Sequence, residues 1–104
     1  MSREIVLLPH VSSDFVEGFD YYEALSPGRG GARFEAAFRD AVQLIASGVT
    51  SHVVVFDRFH RVMLRRFPYN LYYREIADKA IITALLYARF DPRRIERTLK
   101  HRGD

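Results

Sequence analysis

From Ala80 to Ala88 nearly every side chain is apolar, and this run limits the possible folds more than any other segment. Asp78-Lys79 bounds it on one side and Asp91-Pro92 on the other. It falls well short of the roughly 18 apolar residues that cross a bilayer. A strand with apolar side chains on both faces is a central strand covered on both sides. The chain must therefore supply one layer above residues 80–89 and another below.

Two amphipathic segments offer the first layer. Val11, Phe15, Phe19, Tyr22 and Leu25 recur at helical spacing, with Asp14, Glu17, Asp20 and Glu23 largely off that face. Gly18 inside this helix predicts close packing, because a mid-helix glycine costs about 1 kcal/mol relative to alanine. Residues 26–31, Ser-Pro-Gly-Arg-Gly-Gly, form a breaker. A second helix follows with Phe34, Ala37, Phe38, Ala41, Leu44 and Ile45 on one face and Gly48 as its C-terminal stop. Two such helices with a short linker predict an antiparallel hairpin.

The remaining elements are short. Ile5–Leu8, closed by Pro9, predicts a strand. Residues 49–59 read as a loop with some extended character around Val53-Val54-Val55-Phe56. His60–Phe67, Leu71–Ile76 and Ala80–Arg89 predict three strands separated by turns. Asp91 as N-cap and Pro92 at the first helical position start a last helix that docks through Ile95 and Leu99. The class is α+β, ordered strand–helix–helix–three-stranded antiparallel meander–short C-terminal helix. A length of 104 residues fits one domain, residues 1–104. No cysteine is present, which excludes thiolate metal sites and fits a reducing cytoplasm. The apolar stretch after Arg3-Glu4 is too short for a signal peptide.

Charge is unevenly placed around a net +3. Residues 58–74 carry Arg58, Arg61, Arg65, Arg66 and Arg74 without an anion, and residues 89–102 add Arg89, Arg93, Arg94, Arg97, Lys100 and Arg102. This half can face nucleic acid or an acidic protein segment. The histidines His10, His52, His60 and His101 are scattered, so neither a metal nor a cofactor is expected.

Three stretches in this order carry a family resemblance. They are residues 19–28 (Phe19-Asp20-Tyr21-Tyr22-Glu23, then Ser26-Pro27-Gly28) with the helix after them, Arg61 to Arg74, and Asp91-Pro92-Arg93-Arg94 behind an apolar strand. Together they resemble the RelE/ParE toxin superfamily, in particular ParE-type or plasmid stabilisation toxins, over almost the whole chain. The resemblance implies a cytoplasmic growth-inhibiting toxin held by a cognate antitoxin in a hetero-oligomer. The target is DNA gyrase in ParE-like members and messenger RNA on the ribosome in RelE-like ones. An inactive relative that only binds antitoxin is a third class. Many relatives carry a histidine where this chain has Tyr87, which argues against acid–base chemistry that needs it.

Cleavage of RNA would require cations, a base and an acid around one phosphate. Arg61, Arg65, Arg74, Tyr87 and Arg89 are the candidates for that chemistry. Strand alternation puts Arg61 and Arg65 on one face and Arg66 on the other. Arg66, Tyr69, Tyr72, Arg93 and Arg94 are the candidates for contact with a target or antitoxin. For the acid–base part, Tyr72, Tyr73, Glu75, His52 and His60 are available in this half beside Tyr87. His60 opens the first meander strand and could reach the same area, whereas His52 reads as a loop residue. With eight Phe and six Tyr, some aromatic surface is expected to remain uncovered.

Overall fold

The computed structural model describes residues 2–48 and 52–103. Its elements are β1 (Glu4–Leu7), α1 (His10–Leu25), α2 (Gly30–Ser47), β2 (Val54–Val55), β3 (Phe59–Met63), β4 (Tyr69–Ile76), β5 (Lys79–Tyr87) and α3 (Pro92–Gly103). The five strands form one sheet in the order β1-β5-β4-β3-β2. β1 runs parallel to β5, and the other pairings are antiparallel. The apolar run is therefore an interior strand. The α1–α2 hairpin covers one face, where Val11, Phe34, Ala37 and Ile45 pack on Val62, Leu71, Tyr73 and Ile82. α3 covers the other, where Ile95 and Leu99 pack on Phe59, Tyr72, Ala84 and Leu86.

The hairpin is held by close approach. A Cβ on Gly18 would lie 2.4 Å from Phe34 Cζ, and one on Gly30 would lie 1.8 Å from the Tyr22 carbonyl oxygen. Gly30 and Gly31 thus belong to the first turn of α2 and not to the breaker, which is confined to residues 26–29. The Glu23 carboxylate accepts the N–H groups of Gly28 and Gly31 at 2.6 and 3.0 Å, so a side chain of α1 caps α2. Those two bonds hold the Glu23 carboxyl below the usual carboxylate range. Gly48 ends α2 in the left-handed conformation, at φ 69°. Asp91 caps α3 by accepting the Arg93 N–H at 2.9 Å.

The meander departs from expectation in three ways. Residues 54–55 form an added edge strand, made possible by positive φ at Phe56 and Asp57 in the turn to β3. Residues 49–51 of the expected loop lie outside the described residues. β3 stops at Met63 because Arg66 turns the chain with φ 72° and Leu64 N–H bonds to the Tyr69 oxygen. Arg65 and Arg66 therefore occupy a turn, and strand alternation does not assign them to faces. β5 ends at Tyr87, which leaves Arg89 in a turn.

β5 also carries a bulge. Tyr72 pairs with Ala84 and Tyr73 with Ile82, so Thr83 is the extra residue. β1 ends near this point, with Leu8 N–H on the Ile82 oxygen. Beyond it, Asp14 Oδ2 accepts the Leu85 N–H at 3.0 Å and Arg102 donates to the Thr83 oxygen at 3.3 Å. Arg102 and Asp14 join each other through two bonds of 2.6 and 3.0 Å. Their side chains are 14% and 10% exposed, so the pair is nearly buried and not on the solvated faces the sequence implied. The uncovered aromatic surface expected from the sequence is found at Tyr21, 56% exposed, while the other Phe and Tyr side chains are buried or half-buried.

Candidate functional site

The structure distributes the ten candidate residues over both sheet faces and one sheet end. Arg61 is exposed on the α3 face, opposite Tyr72 in register. Tyr72 is 2% exposed. Burial raises the Tyr72 phenol above its ordinary value, outweighing the opposing pull of Asn70 and Arg61. Arg74, on the same face, donates to the Gly103 oxygen at 2.6 Å and so ties β4 to the end of α3. Tyr69 and Tyr87 face one another across β4 and β5, their rings 5.7 Å apart. Arg65 and Arg66 lie in the β3–β4 turn, Arg89 in the turn after β5, and Arg93 and Arg94 in the exposed first turn of α3. Arg61 and Arg74 thus share a face, Arg65 and Arg89 share an end, and the five catalytic candidates do not surround one point.

What does converge is an aromatic ladder across that end. Ring centroids run Tyr21–Tyr22 at 5.1 Å, Tyr22–Tyr69 at 6.1 Å, Tyr69–Tyr87 at 5.7 Å and Tyr87–Phe90 at 5.6 Å. The Arg94 guanidinium then stacks 3.8 Å from the Phe90 centroid. Burial first, then the neighbouring phenols, raise Tyr22. Burial first, then Glu17 and the neighbouring phenols, raise Tyr69. Both hydroxyls are therefore protonated donors at neutral pH. Beside the ladder runs a furrow of about 730 Å³ lined in part by Tyr22, Leu25, Arg33, Ala37, Arg66 and Phe67.

The opposite end of the sheet joins four of the acid–base candidates, His52, His60, Tyr73 and Glu75, in a cluster that their places in the sequence did not group. The Tyr73 hydroxyl and His52 Nδ1 share a hydrogen bond of 2.8 Å. His60 stacks on the Tyr73 ring at 4.9 Å, and its Nε2 lies 3.6 Å from Glu75. Arg3 reaches the same carboxylate at 3.0 Å. His60 therefore sits on the hairpin face, away from Arg61 and Tyr72. His52 is no free loop residue, and burial, His60 and Arg3 lower its pKa. Tyr73 is fully buried, so a substrate cannot touch it. Residue type picked out these side chains, but only Tyr73 and Glu75, on one strand face, could be placed together from sequence. Among the described residues no three His, Asp or Glu side chains are arranged to hold a metal ion, and no helix is long and apolar enough to cross a membrane.

No family model matches the sequence, and no curated protein matches it either. Among solved structures, a chain of the chromosomal ParDE toxin–antitoxin system from P. aeruginosa is similar in shape. The two share 15% identity and a TM-score of 0.62 over 85% of this chain and 98% of that one. At that identity the likeness is one of architecture, a ParE-like α+β fold.

Proposed function

We propose that this chain is the toxin of a type II toxin–antitoxin pair, that it inhibits a protein target such as DNA gyrase, and that a cognate antitoxin neutralises it. Such a target is met in the cytoplasm, and the outcome is growth inhibition. The observation that carries the reading over a ribonuclease is the sealed α3 face. Tyr72, Ala84 and Leu86 lie under Ile95 and Leu99, and Arg74 is spent on the α3 terminus. A phosphate bound there would meet apolar side chains where cleavage needs an acid, a base and converging cations. The furrow supports the antitoxin half of the proposal. Its Leu25, Ala37 and Phe67 walls, with Arg33, Arg65 and Arg66 outnumbering Asp40, suit an amphipathic helix bearing carboxylates.

Induction of the chain alone in growing cells tests the reading. Growth arrest with DNA breaks appearing before any loss of message, and loss of supercoiling by purified gyrase on adding the chain, are the expected results. Message cut on translating ribosomes while supercoiling stays normal would overturn it.

A further inference from the structure

We propose that the sheet end formed by Tyr22, Tyr69, Tyr87, Arg65, Arg66 and Arg89 is the surface on which an acidic protein partner, the toxin's target, docks. This rests on the toxin reading above and adds where the target binds and by what chemistry.

Three observations converge on that end. The first is charge. Arg65, Arg66 and Arg89 are exposed and have no ion pair among the described residues. Elsewhere Arg3, Arg39, Arg93 and Arg102 each hold a carboxylate, and the exposed Arg29, Arg33, Arg61 and Arg97, likewise without an ion pair among the described residues, lie on other elements. Unpaired guanidiniums are available to carboxylates on another molecule, which they bind through two parallel bonds.

The second is the tyrosine group. Tyr22, Tyr69 and Tyr87 are half-buried, neighbouring phenols that offer ring surface and a hydroxyl with few rotatable bonds to immobilise. Tyrosine and arginine are enriched in protein interfaces whereas lysine is depleted, and the chain's two lysines, Lys79 and Lys100, both lie outside this group.

The third is rigidity. The supporting turns are tied by Tyr69 N–H to the Phe67 oxygen at 2.8 Å, Ala88 N–H to the Pro68 oxygen at 2.7 Å and Phe90 N–H to the Tyr87 oxygen at 3.2 Å. A preformed surface loses less freedom on binding.

A single-stranded nucleic acid is the competing occupant, since it also uses cations and aromatic rings. It needs open ring faces on which bases can stack. Here the rings are turned against one another, at 87° for Tyr21–Tyr22, 69° for Tyr22–Tyr69 and 59° for Tyr69–Tyr87, so they present no row of parallel faces for successive bases. That geometry favours a protein.

The test induces the intact chain and two variants of this end, Arg65→Glu/Arg66→Glu and the milder Tyr69→Phe/Tyr87→Phe, with Arg29→Glu/Arg39→Glu as an equal charge change elsewhere. Each purified protein is also melted to check its fold. The charge reversal should raise the level needed for arrest by about tenfold and the tyrosine pair by about threefold, with the control unchanged. Variants of this end that melt like the parent and arrest growth equally well overturn the inference and leave the toxin reading standing. An equal loss in the control overturns it too, since overall charge then explains the effect. Failure of the parent chain to arrest growth overturns the toxin reading and the inference together. Tight binding of a single-stranded oligonucleotide that quenches the tyrosine emission, lost in the same variants, replaces the protein partner with nucleic acid.

Discussion

The two ends of β4 use the same residue types to opposite purposes. At the Tyr73 end the phenol is buried against His52, and the Arg3 charge is met by Glu75. At the Tyr69 end the phenols are half-buried and the nearby Arg65, Arg66 and Arg89 have no carboxylate among the described residues. The Asp14–Arg102 pair is closed more completely still, since its carboxylate and guanidinium are both answered inside the molecule, whereas the buried His52 Nε2 has no hydrogen-bond partner among the described residues. Closed polar groups fix the fold, because a buried group without a partner costs about 1–3 kcal/mol. Open ones contribute little to folding and are free to recognise something else.

The sharpest way to break this contrast is Asp14→Ala. It strands Arg102 in a nearly buried site and frees the Leu85 N–H, so urea denaturation should show a loss of about 3–5 kcal/mol. A loss below about 0.5 kcal/mol would mean that the clamp is open in solution. Tyr73→Phe comes next. It leaves His52 Nδ1 without its hydroxyl partner, and a loss of about 1–3 kcal/mol is expected in the same measurement.

The closed end should also respond to pH. His52 is held below its ordinary value of 6.5 mainly by burial. A histidine whose folded pKa is depressed contributes stability that is fully present above the unfolded value. That contribution is lost as pH falls through the folded one. Melting temperature should therefore drop more between pH 7.5 and pH 5 in the parent than in His52→Gln, and equal drops would remove His52 from the network. The smallest effect belongs to the open end. Arg65→Ala/Arg66→Ala should leave stability within about 0.5 kcal/mol of the parent, and a larger change by thermal melting would show that these side chains help hold the turn.

Local pattern made much of the architecture readable. The 80–88 run, the helical spacing of Val11 to Tyr22 and the Asp91-Pro92 start each depend on neighbours in sequence, and each appears where its pattern indicates. The candidate surface was harder to read. Tyr69, Arg66 and Arg94 could be picked by type, but alternation could not foresee that Arg66 adopts a left-handed turn and ends β3 before Arg65. Leu25 continued the apolar spacing of α1, yet it is 63% exposed because the helix ends there, beyond the sheet. Asp14 looked solvated for the same kind of reason: nothing within a helical turn of it announces Arg102. The His52–Tyr73 bond likewise joins positions 21 residues apart.

The Asp14–Arg102 clamp bears on how slowly the molecule comes apart as well as on how stable it is. It joins positions 88 residues apart, and so long a loop is costly to close before the intervening contacts exist. Contacts that form after the folding barrier has been crossed hardly affect the rate of folding, but losing them lets the native state escape faster. Arg102→Leu should therefore raise the unfolding arm of a chevron plot without steepening it while the refolding arm stays in place, making α3 a brake on unfolding.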